Sequence, residues 1–134
     1  MSLDREAFRG MKVLVRAESY AIAKAARPIE GAFAVVDDGR EITVVIDQSL
    51  FEDADAREFT RDWKMITFDA ILPLDLVGFL SFVAGSIAKI GASIFVISAY
   101  STDHLLVRER DLDRVVAKLR EMGFEVCSNH VIQV

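Results

Sequence analysis

The chain has 134 residues, 52% of them hydrophobic, with a formal net charge of −5 and a single cysteine. That apolar fraction excludes a largely disordered protein, and the scattered Lys and Arg leave no basic footprint for a nucleic-acid backbone. The lone Cys127 cannot form an intramolecular disulfide, which fits a reducing compartment such as the cytoplasm.

The first residues are charged and lack an apolar stretch, so no secretory leader is expected. Residues 12–15 and 20–23 read as two short strands able to pair across Ala17, Glu18 and Ser19. Pro28 to Gly31 leaves room for one helical turn. Residues 32–36 and 42–46 flank Asp37-Asp38-Gly39-Arg40, a strong hairpin signal. The acidic stretch 50–60 reads as a short helix and a linker, with a boundary near residues 58–63.

Residues 64–68 form the next β-type run, and residues 70–74, with Pro73, a loop. Asp75 is the expected N-cap of a helix reaching about Lys89, with Gly91 as its stop. Leu76, Phe79, Leu80, Val83, Ile87 and Ile90 line one side of this helix at about 100° per residue. Gly78, Ser81, Gly85 and Ala88 line the other, where charges would be normal, so the helix is expected to be packed on both sides. The window 70–88 is interrupted by Pro73 and Asp75 and is too short for a membrane span.

Residues 93–99 form a continuous apolar strand, expected to be central. Ser101, Thr102 and Asp103 supply turn chemistry, and residues 104–107 return as its hairpin partner. Asp111 is the expected cap of a second helix with Leu112, Val115, Val116, Leu119 and Met122 on its apolar face, stopped at Gly123. Residues 124–127 begin the last strand, and residues 131–134 are apolar enough to return to the first half's sheet. The order β, α, β, β, α, β over residues 63–134 is the ferredoxin-like α+β plan, preceded over residues 1–62 by a strand-rich subdomain, a degenerate relative of it.

From Trp63 to Val126 the sequence resembles the small tandem-ACT proteins. The resemblance rests on Trp63-Lys-Met-Ile-Thr-Phe, Leu72-Pro-Leu-Asp75, Gly78-Phe-Leu and Gly91-Ala-Ser-Ile-Phe-Val-Ile-Ser98. The turn Ala99-Tyr-Ser-Thr-Asp103 is similar to one in that family and in the ACT repeats of arginine-sensing proteins. The resemblance implies a regulatory protein that binds a small molecule, usually an amino acid, at a domain or subunit interface. It nominates Leu74, Asp75, Val77 and Gly78 from the loop and helix start, and Ser98 and Asp103 from the hairpin. A carboxylate would meet backbone N–H groups at the helix start, and Asp103 would hold an ammonium or guanidinium group.

No phosphate-cradling glycine loop, nucleophile elbow or Cys/His metal spacing is present, so neither a cofactor, a metal nor catalysis is expected. A catalytic reading would require a polar cluster around His104 and Asp103. A homodimer is expected, with a separate regulated protein as the output. The alternative is an assembly module whose pocket is filled by Leu72, Leu74 and Phe79.

Overall fold

The computed structural model describes residues 8–72 and 78–130. Seven strands and two helices follow in the order β1 (Lys12–Ala25), β2 (Ala34–Asp37), β3 (Ile42–Asp47), β4 (Ala56–Phe68), α1 (Phe79–Lys89), β5 (Ile94–Ser98), β6 (Asp103–Arg108), α2 (Leu112–Glu121) and β7 (Glu125–His130). Over β4 to β7 this is the expected βαββαβ succession, and the fold is α+β.

The seven strands form one sheet in the order β2-β3-β1-β4-β6-β5, with β7 also paired to β1. A simple ferredoxin-like sheet would set β7 against β4. Here the first half's long strand stands between them, antiparallel to β4 and parallel to β7. The expected pairing of residues 12–15 with 20–23 is replaced by a single strand through Ala17, Glu18 and Ser19. Its first part pairs with β7 and its second with β3, along the same side, so each part is hydrogen-bonded across from β4. Ala17, Glu18 and Ser19 bring no Gly, Pro, Asn or Asp to set a tight turn, and both flanking segments find partners elsewhere.

Strand irregularity replaces that turn. Arg16, Ala17 and Glu18 face Met65 alone between the pairs Val15↔Ile66 and Ser19↔Lys64. Lys64, only 6% exposed, closes the distortion by donating from Nζ to the Ala17 carbonyl at 2.7 Å. A compensating shift in β4 surrounds Asp62, whose φ of 65° is left-handed. The expected linker within residues 50–60 is two 3-10 turns, Gln48–Leu50 and Asp53–Asp55, followed by the first residues of β4. The division expected between residues 62 and 63 therefore lies inside β4.

The sheet has two packed faces. On one, Val13, Val15, Ile66, Phe68, Leu105 and Val107 meet Phe79, Val83 and Ile87 of α1 and Val115 and Leu119 of α2. On the other, Tyr20, Val45, Trp63, Met65 and Leu106 form a second cluster without a helix above it. Curling of the sheet covers them. β2 and β6 are four strand spacings apart, about 19 Å along a flat sheet, yet the ring of Phe33, at the entry to β2, lies 5.2 Å from that of His104 in β6. A third cluster, with Ala21, Ala23, Val44, Ile46 and Phe51, serves the first half.

Three helical and strand expectations change. α1 begins at Phe79 rather than after Asp75, because Gly78 occupies the N-cap position at φ 88°, a left-handed conformation that a right-handed helix cannot run through. Asp75, with Leu74, Leu76 and Val77, lies outside the described residues. The stripe Ser81, Gly85 and Ala88 faces outward, with nothing within 4 Å of where a Gly85 Cβ would stand, so α1 packs on one side within the chain. β5 is an edge strand, not a central one. Its apolar run arises because Ile94 and Val96 pack on the helix-side core while Phe95 and Ile97 pack on the opposite cluster.

α2 follows its pattern, with Val115, Val116 and Leu119 buried, and Gly123 follows it at φ 102°. Asp111 takes the N-cap position without capping through its side chain. Its carboxylate instead accepts from Arg114 Nη2 at 2.7 Å. The strand expected over residues 131–134 lies outside the described residues.

Candidate functional site

The stretch after β4 and the β5–β6 turn are brought to one end of the sheet. The β5–β6 turn closes through Ala99 N–H to the Thr102 carbonyl at 2.9 Å, and the register sets Ser98 opposite Asp103. Two further bonds lash this turn to the segment leading to α1. Thr102 Oγ1 donates to the Phe68 carbonyl at 2.9 Å, and Leu72 N–H donates to the Ser101 carbonyl at 2.6 Å. Short β-turns leave carbonyls outward, and here the loop uses them in place of water.

Of the residues expected to bind a ligand, Ser98 and Asp103 are joined directly: Ser98 Oγ donates to Asp103 Oδ1 at 2.7 Å. Ser98 is exposed and Asp103 half-buried, so the pair lies at the surface of the hairpin. Gly78 caps α1 in its left-handed conformation and accepts from Phe82 N–H at 2.8 Å. Leu74, Asp75 and Val77 lie outside the described residues. Leu72 packs against the helix-side core, and Phe79, 3% exposed, stands edge-on to Phe8 and Phe68.

His104 does not join Asp103. The two are adjacent in β6, and strand alternation sends His104 to the face opposite the helices. There Thr67 Oγ1 lies 2.9 Å from His104 Nδ1 and accepts from Arg16 Nε at 3.2 Å. Phe33 covers both partners, its ring centre 4.8 Å from the Arg16 guanidinium carbon. Sequence reasoning missed this group because Arg16, Thr67 and His104 sit on three separate strands and carry no motif. Their only sequence signal was polar character within otherwise apolar strands.

Burial, then the nearby Arg16 cation, holds the His104 imidazole below its ordinary pKa, against a smaller opposing effect of Asp103. An unfolded histidine takes up a proton near pH 6.5, whereas the folded one resists it. Stability from this site is therefore complete above that value and falls as pH drops through it. His104→Gln is expected to reduce the loss of melting temperature between about pH 7.5 and 5.5. An unchanged pH profile in the variant would place the acid sensitivity elsewhere. Burial likewise raises the Tyr20 hydroxyl pKa, opposed by Arg16.

An open cleft of about 600 Å³ lies at the distorted part of β1, with Glu18, Ser19, Asp47 and Ser49 among its walls. Asp47 is already engaged there, accepting from Ser49 N–H and Oγ, each at 2.9 Å. Among the described residues no group of three His, Cys, Asp or Glu is placed to hold a metal ion. No described helix is long and apolar enough to cross a membrane.

With this geometry in place, comparison with known proteins gives a consistent fold. The family model for the ACT domain matches residues 58–121. No curated protein sequence matches the chain. A solved structure from Agrobacterium tumefaciens superposes with a TM-score of 0.78 at 24% identity, covering 93% of this chain and 98% of that one. A Vibrio cholerae protein, described as of unknown function and a possible transport protein, gives a TM-score of 0.72 at 20% identity over 84% of this chain and 88% of its own. The regulatory subunit of aspartate kinase from Thermus thermophilus, in its ligand-free form, gives 0.61 at 10% identity, over 84% of this chain and 96% of that one. At these identities the structural likenesses concern the fold.

Proposed function

Residues 58–121 form an ACT domain, and on that premise we propose that the protein is a non-catalytic regulator that binds an amino acid or related small metabolite at an interface. ACT domains are typically regulatory amino-acid-binding units, and the aspartate kinase regulatory subunit shares this fold. The observation that carries the reading is the lashing of the β5–β6 turn to the segment before α1 through Thr102 to Phe68 and Leu72 to Ser101. It holds the Asp103 turn against residues 68–72, and a zwitterion has a use for both the Asp103 acceptor and donors at the start of α1. Leu74, Asp75, Val77, Gly78, Ser98 and Asp103 are the proposed ligand residues.

The proposed organisation is two ACT-like units, residues 1–62 and 63–134, sharing one sheet, with the division at the irregularity around Asp62. The assembly is a cytoplasmic homodimer acting on a separate protein. The outward stripe on α1 and the apolar edge strand β5 support self-association, since an open edge flanked by apolar side chains is ordinarily covered.

A thermal-shift screen against the amino acids, followed by calorimetry, tests the binding reading. A saturable rise in melting temperature is expected for one compound, because a ligand selective for the native state stabilises it by mass action. Asp103→Ala is expected to abolish that rise while leaving a folded chain; a full response in the variant would remove Asp103 from the site. A second reading is favoured by the packing of Leu72 and Phe79 into the helix-side core. In that case the protein is an assembly module, dimeric and silent to every amino acid at millimolar concentration.

A further inference from the structure

The cluster beneath Phe33 is unused by the function above. Arg16 comes from β1, Thr67 from β4 and His104 from β6, and Phe33 reaches over them from the entry to β2. A guanidinium only donates, so the Thr67 oxygen accepts from Arg16 Nε, and its second lone pair or its own proton serves His104 Nδ1 according to the tautomer. In the imidazolium both ring nitrogens donate, Nδ1 to Thr67 and Nε2 to a further acceptor. Arg16 is half-buried, forms no ion pair with a carboxylate among the described residues, and has the Tyr20 hydroxyl as its other polar neighbour. The Tyr20 hydroxyl in turn donates to Glu18 Oε2 at 3.3 Å.

The cluster thus sets a guanidinium and an imidazole on one hydroxyl, with neutral groups as their acceptors among the described residues, in a chain whose acids outnumber its bases by 21 to 16. A half-buried guanidinium is stabilised by a hydrogen-bonded anion more than by any neutral partner. The walls are apolar: Phe33 above, Leu14 opposite Thr67, and Ile97 opposite His104 in the register. Such walls suit a carboxylate carried on a short hydrocarbon better than a fully hydrated phosphate.

We propose that Arg16 and His104, braced by Thr67 and flanked by Phe33, bind the carboxylate of a small organic acid on the sheet face opposite the helices. This site faces away from the helices, next in sequence to the hairpin end, since Asp103 adjoins His104 and its charge acts on the ring. An anion seated between the two donors favours the imidazolium over the neutral ring, so binding is linked to proton uptake at His104. The other charged groups facing the ring are Asp103 on its own strand and Arg16 on β1, while Thr67 of β4, Ile97 of β5 and Phe33 bring none.

The test is an NMR titration of the full chain with sodium propionate, against sodium chloride at equal ionic strength, following the His104 ring resonances. The expected result is a saturable shift with propionate alone and a higher His104 pKa when propionate is present. By linkage, the dissociation constant falls about threefold or more between about pH 7.5 and 5.5. Arg16→Met is expected to weaken binding roughly tenfold or more. A shift that never saturates, an unmoved His104 pKa, or an Arg16→Met chain that binds like the wild type overturns the proposal. If Arg16→Met fails to fold, the wild-type pKa with and without propionate decides alone. Propionate has no ammonium group, so this result and the amino-acid response lost in Asp103→Ala are read separately.

Discussion

Phe68→Ala is expected to lower the unfolding free energy by about 3–5 kcal/mol, near the upper range for a single core truncation. Phe68 is 1% exposed and ends β4 just where the chain leaves the sheet. Its ring stands edge-on to Phe79 at 5.1 Å and to Phe124 at 5.5 Å, so one side chain joins the sheet, α1 and the approach to β7. Its removal leaves a cavity between elements that cannot collapse together, because the Val13 pairing and the Thr102 bond to its carbonyl hold the backbone in place. Urea unfolding is the check: the midpoint should fall with the slope unchanged. A loss below about 1 kcal/mol would mean that the aromatic cluster is loosely packed.

The second large effect is expected at Trp63, on the opposite face. Trp63 is 6% exposed, sits against Tyr20 in the register, and carries the Arg108 guanidinium over its ring at 4.5 Å. Trp63→Ala should cost about 3–5 kcal/mol. The informative part is the shape of the transition. β1 and β4 each serve both halves, so wild type and variant should unfold in one step, with circular dichroism and NMR amide signals from β3 and from α2 lost together. Two separated transitions would show that the halves fold independently despite the shared sheet.

What the sequence disclosed, and what it did not, follows from the range of the interactions involved. Asp37 to Arg40 announced the β2–β3 hairpin because the turn chemistry is local: Asp37 and Asp38 accept from Gly39 N–H and Arg40 N–H at 2.9 and 2.8 Å. The α2 face was readable from the spacing of Val115, Val116 and Leu119, and the βαββαβ order from the resemblance and from Gly91 and Gly123. The insertion of β1 between β4 and β7 was not readable, since strand neighbours are chosen by register and not by composition. An apolar run such as Ile94 to Ile97 records that both faces are packed, and says nothing of whether a further strand lies beside it. In the candidate site, Ser98 and Asp103 were legible as parts of one hairpin, but their direct pairing was not, because Asp103 reads as a turn residue in the sequence and the structure places it in β6. Gly78 was legible as a special position, but its left-handed capping role replaced the expected place within the helix. The Arg16, Thr67 and His104 group depends on the curl that carries Phe33 across the sheet, and no local pattern encodes it.

The position of β1 has a temporal consequence. The strand synthesised first among those described is bonded on one side by β4 and on the other by β3 and, last of all, by β7. During translation its leading segment, Lys12 to Leu14, must wait for nearly the whole chain before its second edge is satisfied, while β2 and β3 can close their hairpin at once. Such a long-range closure slows folding and leaves an apolar strand edge exposed to other nascent chains in the interval. Loss of β7 should therefore produce aggregation out of proportion to the length removed, and a chaperone that covers strand edges would act on this protein before β7 is made.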